Sequence, residues 1–108
     1  MITLKDILAR WRIKKFGFKF IYSEKYWMVD LNHHVFPVEK YRFLYEKLIR
    51  LGAKKANFIS PKPASDDELL LVHTPKYINK LRTGKLSQSE ILTMELPYSP
   101  QLLEFALY

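Results

Sequence analysis

An α/β fold with a parallel pair of strands is what this sequence predicts, and three features predict it. Phe18-Lys19-Phe20-Ile21-Tyr22 alternates and is rich in β-formers, so it reads as a strand. Ala56-Asn57-Phe58-Ile59 is a second short strand candidate, closed by Pro61 and Pro63. Between them Tyr41, Leu44, Tyr45 and Leu48 recur at helical spacing. Two strands joined by one helix form a βαβ unit, which favours parallel pairing. Two strands make a poor sheet, and parallel strands are normally covered on both faces. The pattern therefore predicts the front of a larger α/β sheet, mostly helical when taken alone.

The remaining elements follow in order. Leu4 to Arg12 reads as a helix, because Leu4, Ile7, Leu8 and Trp11 form one apolar stripe and Thr3 is a ready N-cap. Gly17 ends it, so residues 1–17 are read as a helical extension ahead of the main unit, 18–108. Ser23 to His34 reads as a loop. Pro37 suits the first turn of the central helix and Gly52 its stop. Ser65 with Glu68 is a capping box for a short helix at about Asp66. Pro75 opens another, with Tyr77, Ile78 and Leu81 as its apolar face, and Thr83-Gly84 breaks it. Ser87 with Glu90 is a second capping box, for a helix to about Glu95. Ser99 caps a last helix, Gln101 to Tyr108.

A chain of 108 residues is one domain at most. With 48% hydrophobic and 15% aromatic residues, it is too apolar for disorder. It holds no cysteine, which excludes disulfides, thiol nucleophiles and thiolate metal sites. No apolar run approaches the ~20 residues of a membrane span. Met1-Ile2-Thr3-Leu4-Lys5-Asp6 lacks the core and cleavage site of a secretory signal. The expectation is a cytoplasmic protein without a membrane partner. The charge is lopsided: residues 1–55 hold 13 Lys/Arg and 5 Asp/Glu, residues 56–108 hold 5 and 6. The lysines are read as solvated helix faces. Nucleic acid is not expected as a partner, since no Lys/Arg stripe interleaved with stacking aromatics stands out.

Four motifs resemble the histone deacetylase superfamily, zinc-dependent enzymes with a three-layer parallel-sheet fold, and its bacterial members above all. His34-Val35-Phe36-Pro37, followed by Lys40-Tyr41, resembles the loop that leads into the family's first helix. Pro63, Ala64, Glu68, Leu69, Val72, His73, Thr74 and Tyr77 stand in the order of a second family block. Gly84, Leu86, Ser87 and Glu90 resemble a third, and Leu96-Pro97-Tyr98-Ser99-Pro100 a fourth. The resemblance covers roughly Phe18 to the C-terminus. It implies the N-terminal part of a zinc-dependent amidohydrolase acting on acetyl-lysine or acetylpolyamine substrates.

The family's catalytic histidines follow a Gly-Gly stretch, and its zinc ligands and catalytic tyrosine lie further on. None of these is present, so no catalytic residue and no metal ligand is expected here, and zinc belongs to the complete family enzyme. The adjacent pair His33-His34 precedes a helix-entering Phe-Pro and lacks the glycine approach. Asp30, His33, His34 and His73 reach a zinc ligand count on paper, but neighbouring histidines in one loop ligate one ion poorly. The resemblance implies that His34 and Phe36 sit at the pocket rim, with simple loop packing as the alternative. It implies a channel role for Lys40, with an exposed helix lysine as the alternative. Pro63, Ala64, Glu68, His73 and Tyr77 are read as structural. The expected partners are a second copy of the chain or the catalytic remainder of such an enzyme. Two rival readings stand beside the truncated enzyme: a self-associating interaction module and a small basic nucleic-acid-binding protein.

Overall fold

The computed structural model describes residues 1–32 and 34–108. Helix α1 spans Leu4–Phe16, strand β1 Phe20–Ile21, helix α2 Glu39–Arg50 and strand β2 Phe58–Ile59. Four short helices follow, α3 (Asp66–Leu69), α4 (Pro75–Thr83), α5 (Gln88–Met94) and α6 (Pro100–Leu107). Single 3-10 turns cover Glu24–Tyr26 and Lys55–Asn57. β1 and β2 pair in parallel, Phe20 with Phe58 and Ile21 with Ile59. The mostly helical α/β character with one small parallel sheet thus agrees with the sequence.

Several boundaries differ from expectation, each for a local reason. α1 continues past Arg12 to Phe16, because Ile13 is buried and holds the extra turn, and Gly17 then takes the left-handed conformation that stops it. The strands shrink to two residues each. Ala56 and Asn57 are taken up by the second 3-10 turn, and the amide of its N-cap, Lys54, donates to Asn57 Oδ1 at 2.8 Å. Pro37 lies ahead of α2, whose N-cap is Val38, with no side-chain cap bond. α6 begins at Pro100 itself, the first-turn position where a missing N–H costs nothing.

The residues fall into two units. The first comprises Met1–Trp27 and Val38–Pro61, the second Met28–Pro37 and Lys62–Tyr108. In the first, Ile13, Leu51 and Ala53 are buried, with Ala9, Phe20, Leu48 and Phe58 packed against them. Gly52 makes this possible. Its φ of 97° lets the chain reverse after α2, with the Gly52 amide on Ile49 O at 2.9 Å and the Ala53 amide on Leu48 O at 3.0 Å. Tyr45 stacks on Tyr22 at 4.2 Å and meets Phe58 edge-on at 4.8 Å. One sheet face is therefore covered. The other is bare: Ile21 is 65% exposed and its register partner Ile59 47%.

The second unit is organised by caps. The hydroxyls of Ser65, Thr74, Ser87 and Ser99 each accept an amide N–H at the head of a helix. Ile78 and Leu102 are buried on α4 and α6. The Tyr98 hydroxyl donates to the carbonyl of Leu81, and the Ala64 amide donates to Leu107 O at 2.8 Å.

Candidate functional site

The loop that bears the rim candidates belongs to the second unit and is held by buried Val29 and Leu31. Asp30 Oδ1 accepts the Asn32 amide at 2.8 Å. Asn32 has φ 49°, a left-handed value that asparagine tolerates. The His34 amide donates to Leu31 O at 3.0 Å, and His34 Nδ1 accepts the Phe36 amide at 3.1 Å. That last bond uses the Nδ1 lone pair, so the neutral ring carries its proton on Nε2. His34, Val35 and Phe36 are exposed. Asp30 and Asn32 line a shallow cleft of about 400 Å³ with Pro97, Ser99 and Gln101. Lys40 lies in the first unit, in the first turn of α2, exposed, with Nζ 5.3 Å from the Tyr41 ring centre.

The Pro63–Tyr77 block holds one reciprocal cap, Ser65 with Glu68, and one single cap, Thr74 on the Tyr77 amide. Glu68 accepts the Ser65 amide at 2.8 Å, and Ser65 Oγ accepts the Glu68 amide at 3.3 Å. The Ser65 amide, then its hydroxyl, holds the Glu68 carboxyl below its ordinary pKa. The His73 amide returns to Leu69 O at 2.9 Å, and its ring rests 5.3 Å from that of Tyr77. His73 and Tyr77 stand at the edge of an apolar cavity of about 200 Å³, lined further by Leu69, Leu81, Met94 and Leu103. Glu90 is held down to about 2, first by Lys80 Nζ at 2.6 Å and then by the Ser87 amide and hydroxyl. Every one of these carboxyls is engaged in holding a helix end.

Comparisons with protein-family models, with curated proteins and with solved structures return no match. Among the described residues no three of His, Asp and Glu come together as a metal-binding group. His33, weighed above as a ligand, lies outside the described residues.

One feature of the first unit was missed from sequence. The stripe Leu4, Ile7, Leu8 and Trp11 does not face the core. These residues are 72%, 54%, 44% and 52% exposed, while Ala9 and Ile13 pack inward. Trp11 stands two residues from each of them, which at 3.6 residues per turn places it on the opposite side. The signal was present in Ala9 and Ile13, a second and weaker apolar line that the stronger stripe outweighed. No helix among the described residues is long and apolar enough to cross a membrane.

Proposed function

We propose that residues 18–108 form the N-terminal part of a histone deacetylase-like zinc-dependent amidohydrolase, acting in its complete form on acetyl-lysine or acetylpolyamine amides. One observation carries the reading. β1 and β2 pair in parallel across α2, and the face bearing Ile21 and Ile59 is bare. Parallel sheets bury both faces, so this pair fits the first strands of a larger sheet. The four motifs, in family order, give that sheet its family. The caps at Ser65, Thr74, Ser87 and Ser99 support the reading, because they fall inside or beside those motifs and give them a structural purpose.

In this reading the chain supplies outer structure, a rim loop with His34 and Phe36, and Lys40 as a channel cation. The amidohydrolase step belongs to residues outside it. The test is the DNA that follows the Tyr108 codon. It is expected to encode, in some frame, a Gly-Gly stretch, a His-His pair and an Asp-x-His triplet. A stretch of several hundred codons with none of these in any frame would sink the reading.

A second reading, a self-associating module, is favoured by the same bare strand face. Two copies that meet through Ile21 and Ile59 cover it without any further chain.

A further inference from the structure

We propose that α1 docks the first unit on an anionic phospholipid surface. Leu4, Ile7, Leu8 and Trp11 enter the boundary between headgroups and acyl chains. Lys5, Arg12, Lys14 and Lys15 meet the headgroup phosphates. α1 precedes the residues that resemble a deacetylase, so that resemblance does not account for its bare face.

Four observations carry the inference. The outward stripe is apolar from Leu4 to Trp11, these four residues are 44–72% exposed, and Lys15 takes the next turn of the same face. Its aromatic end continues into Phe16, 58% exposed and 6.0 Å from the Trp11 ring. Cations flank it, and Lys15 Nζ sits 4.5 Å from the Trp11 ring centre, so charge and indole share one level. Finally, the first unit holds 13 Lys/Arg against 4 Asp/Glu, a net +9, while the second holds 5 against 7. Of those four acids, Asp6 is bound to Lys47 at 2.9 Å and Glu46 lies 3.8 Å from Arg42. An apolar helix face ringed by cations is the chemistry of interfacial binding. A peripheral contact needs no spanning helix, so the missing span does not bear on it.

The charge also decides among occupants. A second copy on this face would bring Lys5, Arg12, Lys14 and Lys15 against their own counterparts at close range, a repulsion local to α1. A nucleic acid would satisfy the lysines but leave Leu4, Ile7 and Leu8 in water.

The experiment is vesicle flotation of the full chain at about 0.1 M salt, where exposed charges are screened beyond ~10 Å. Phosphatidylcholine vesicles with and without phosphatidylglycerol are compared. The chain is expected to float with the anionic vesicles only. Ile7→Glu with Trp11→Glu is expected to weaken partitioning at least about tenfold, because it removes the inserted surface. Lys5→Gln with Arg12→Gln is expected to weaken it about 25-fold, roughly fivefold per cation. The charge variant carries the test should the apolar variant lose its helical circular dichroism. No flotation overturns the proposal, and so does equal flotation with both vesicle types. Flotation unchanged by the apolar variant, and abolished by excess single-stranded DNA, also overturns it and makes this a polyanion surface. A vesicle-free dimer broken by Ile7→Glu overturns it in favour of a self-interface.

Discussion

Glu90 shows how a single exposed carboxyl is put to structural use. Lys80 Nζ lies 2.6 Å from it, the Ser87 amide 2.8 Å, and together with the Ser87 hydroxyl they lower its pKa from 4.5 to about 2. A carboxyl lowered on folding contributes stability above its ordinary pKa and loses it as pH falls through the folded value. Wild type and Glu90→Gln are therefore expected to differ most in melting temperature near pH 6, and to converge as pH falls from about 4.5 toward 2. A difference that stays constant over that range would show that Glu90 acts through packing and not through charge. Ser87→Ala removes the other half of the box. It is expected to cost about 1 kcal/mol in urea unfolding. Caps of this kind were legible in the sequence, since Ser-x-x-Glu is a local pattern with a local cause. Thr3, Ser65 and Ser87 all cap as the pattern says. The His34 ring was not legible in the same way. Its bond to the Phe36 amide depends on a backbone turn that no spacing rule encodes.

At the scale of the element, α1 is where the strongest periodic signal points the wrong way. Hydrophobic spacing locates a face but does not say whether that face turns inward. The stripe of Leu4, Ile7, Leu8 and Trp11 was legible as a helix, and the helix is there. Its inward side, however, is set by what α2 and the sheet offer. Leu48, Leu51, Phe20 and Phe58 leave a narrow seam that Ala9 and Ile13 fill. Arg10 also donates to the Arg50 carbonyl at 3.0 Å, which ties α1 to the end of α2 from that side. The two faces predict opposite responses to mutation. Ile13→Ala is expected to destabilise by about 2–4 kcal/mol, the cost of a cavity at a buried aliphatic. Leu8→Ala, on the exposed side, is expected to stay within about 0.5 kcal/mol. Urea titrations of both variants check this, and a larger loss at Leu8 would reverse the assignment of faces. The strand lengths failed for a related reason. Phe18 carries β-propensity and Ala56 adjoins the apolar pair Phe58-Ile59, but pairing stops where Asn57 Nδ2 reaches across to the Phe18 carbonyl at 3.1 Å and Lys19 Nζ to Ala56 O at 2.7 Å.

For the whole molecule, the two units pose one question of completeness. In the first, the parallel order of β1 and β2 was legible, because a helix between two strands permits little else. What no sequence pattern could give was how much apolar surface the pair leaves open. Ile21 and Ile59 sit side by side on that open face. In the second unit the motif block folds into capped helices without a metal-binding group among the described residues. On the proposed reading, which assigns the amidohydrolase step to residues outside these 108, the chain alone is expected to be inert on a fluorogenic acetyl-lysine peptide in the presence of zinc. Turnover above buffer, abolished by a chelator, would refute that. The open sheet face leads to the last expectation. Aliphatic pairs left in water on an open sheet face drive association, so the chain is expected to self-associate in sedimentation equilibrium between low and high micromolar concentration at moderate salt. Ile21→Lys with Ile59→Lys places two charges on that face and is expected to return the chain to monomer. Both positions are exposed, so the variant should keep its helical circular dichroism. A wild-type monomer across the whole range would mean that the first unit tolerates its bare face, and the reading of the strand pair as the beginning of a larger sheet would lose its main physical support.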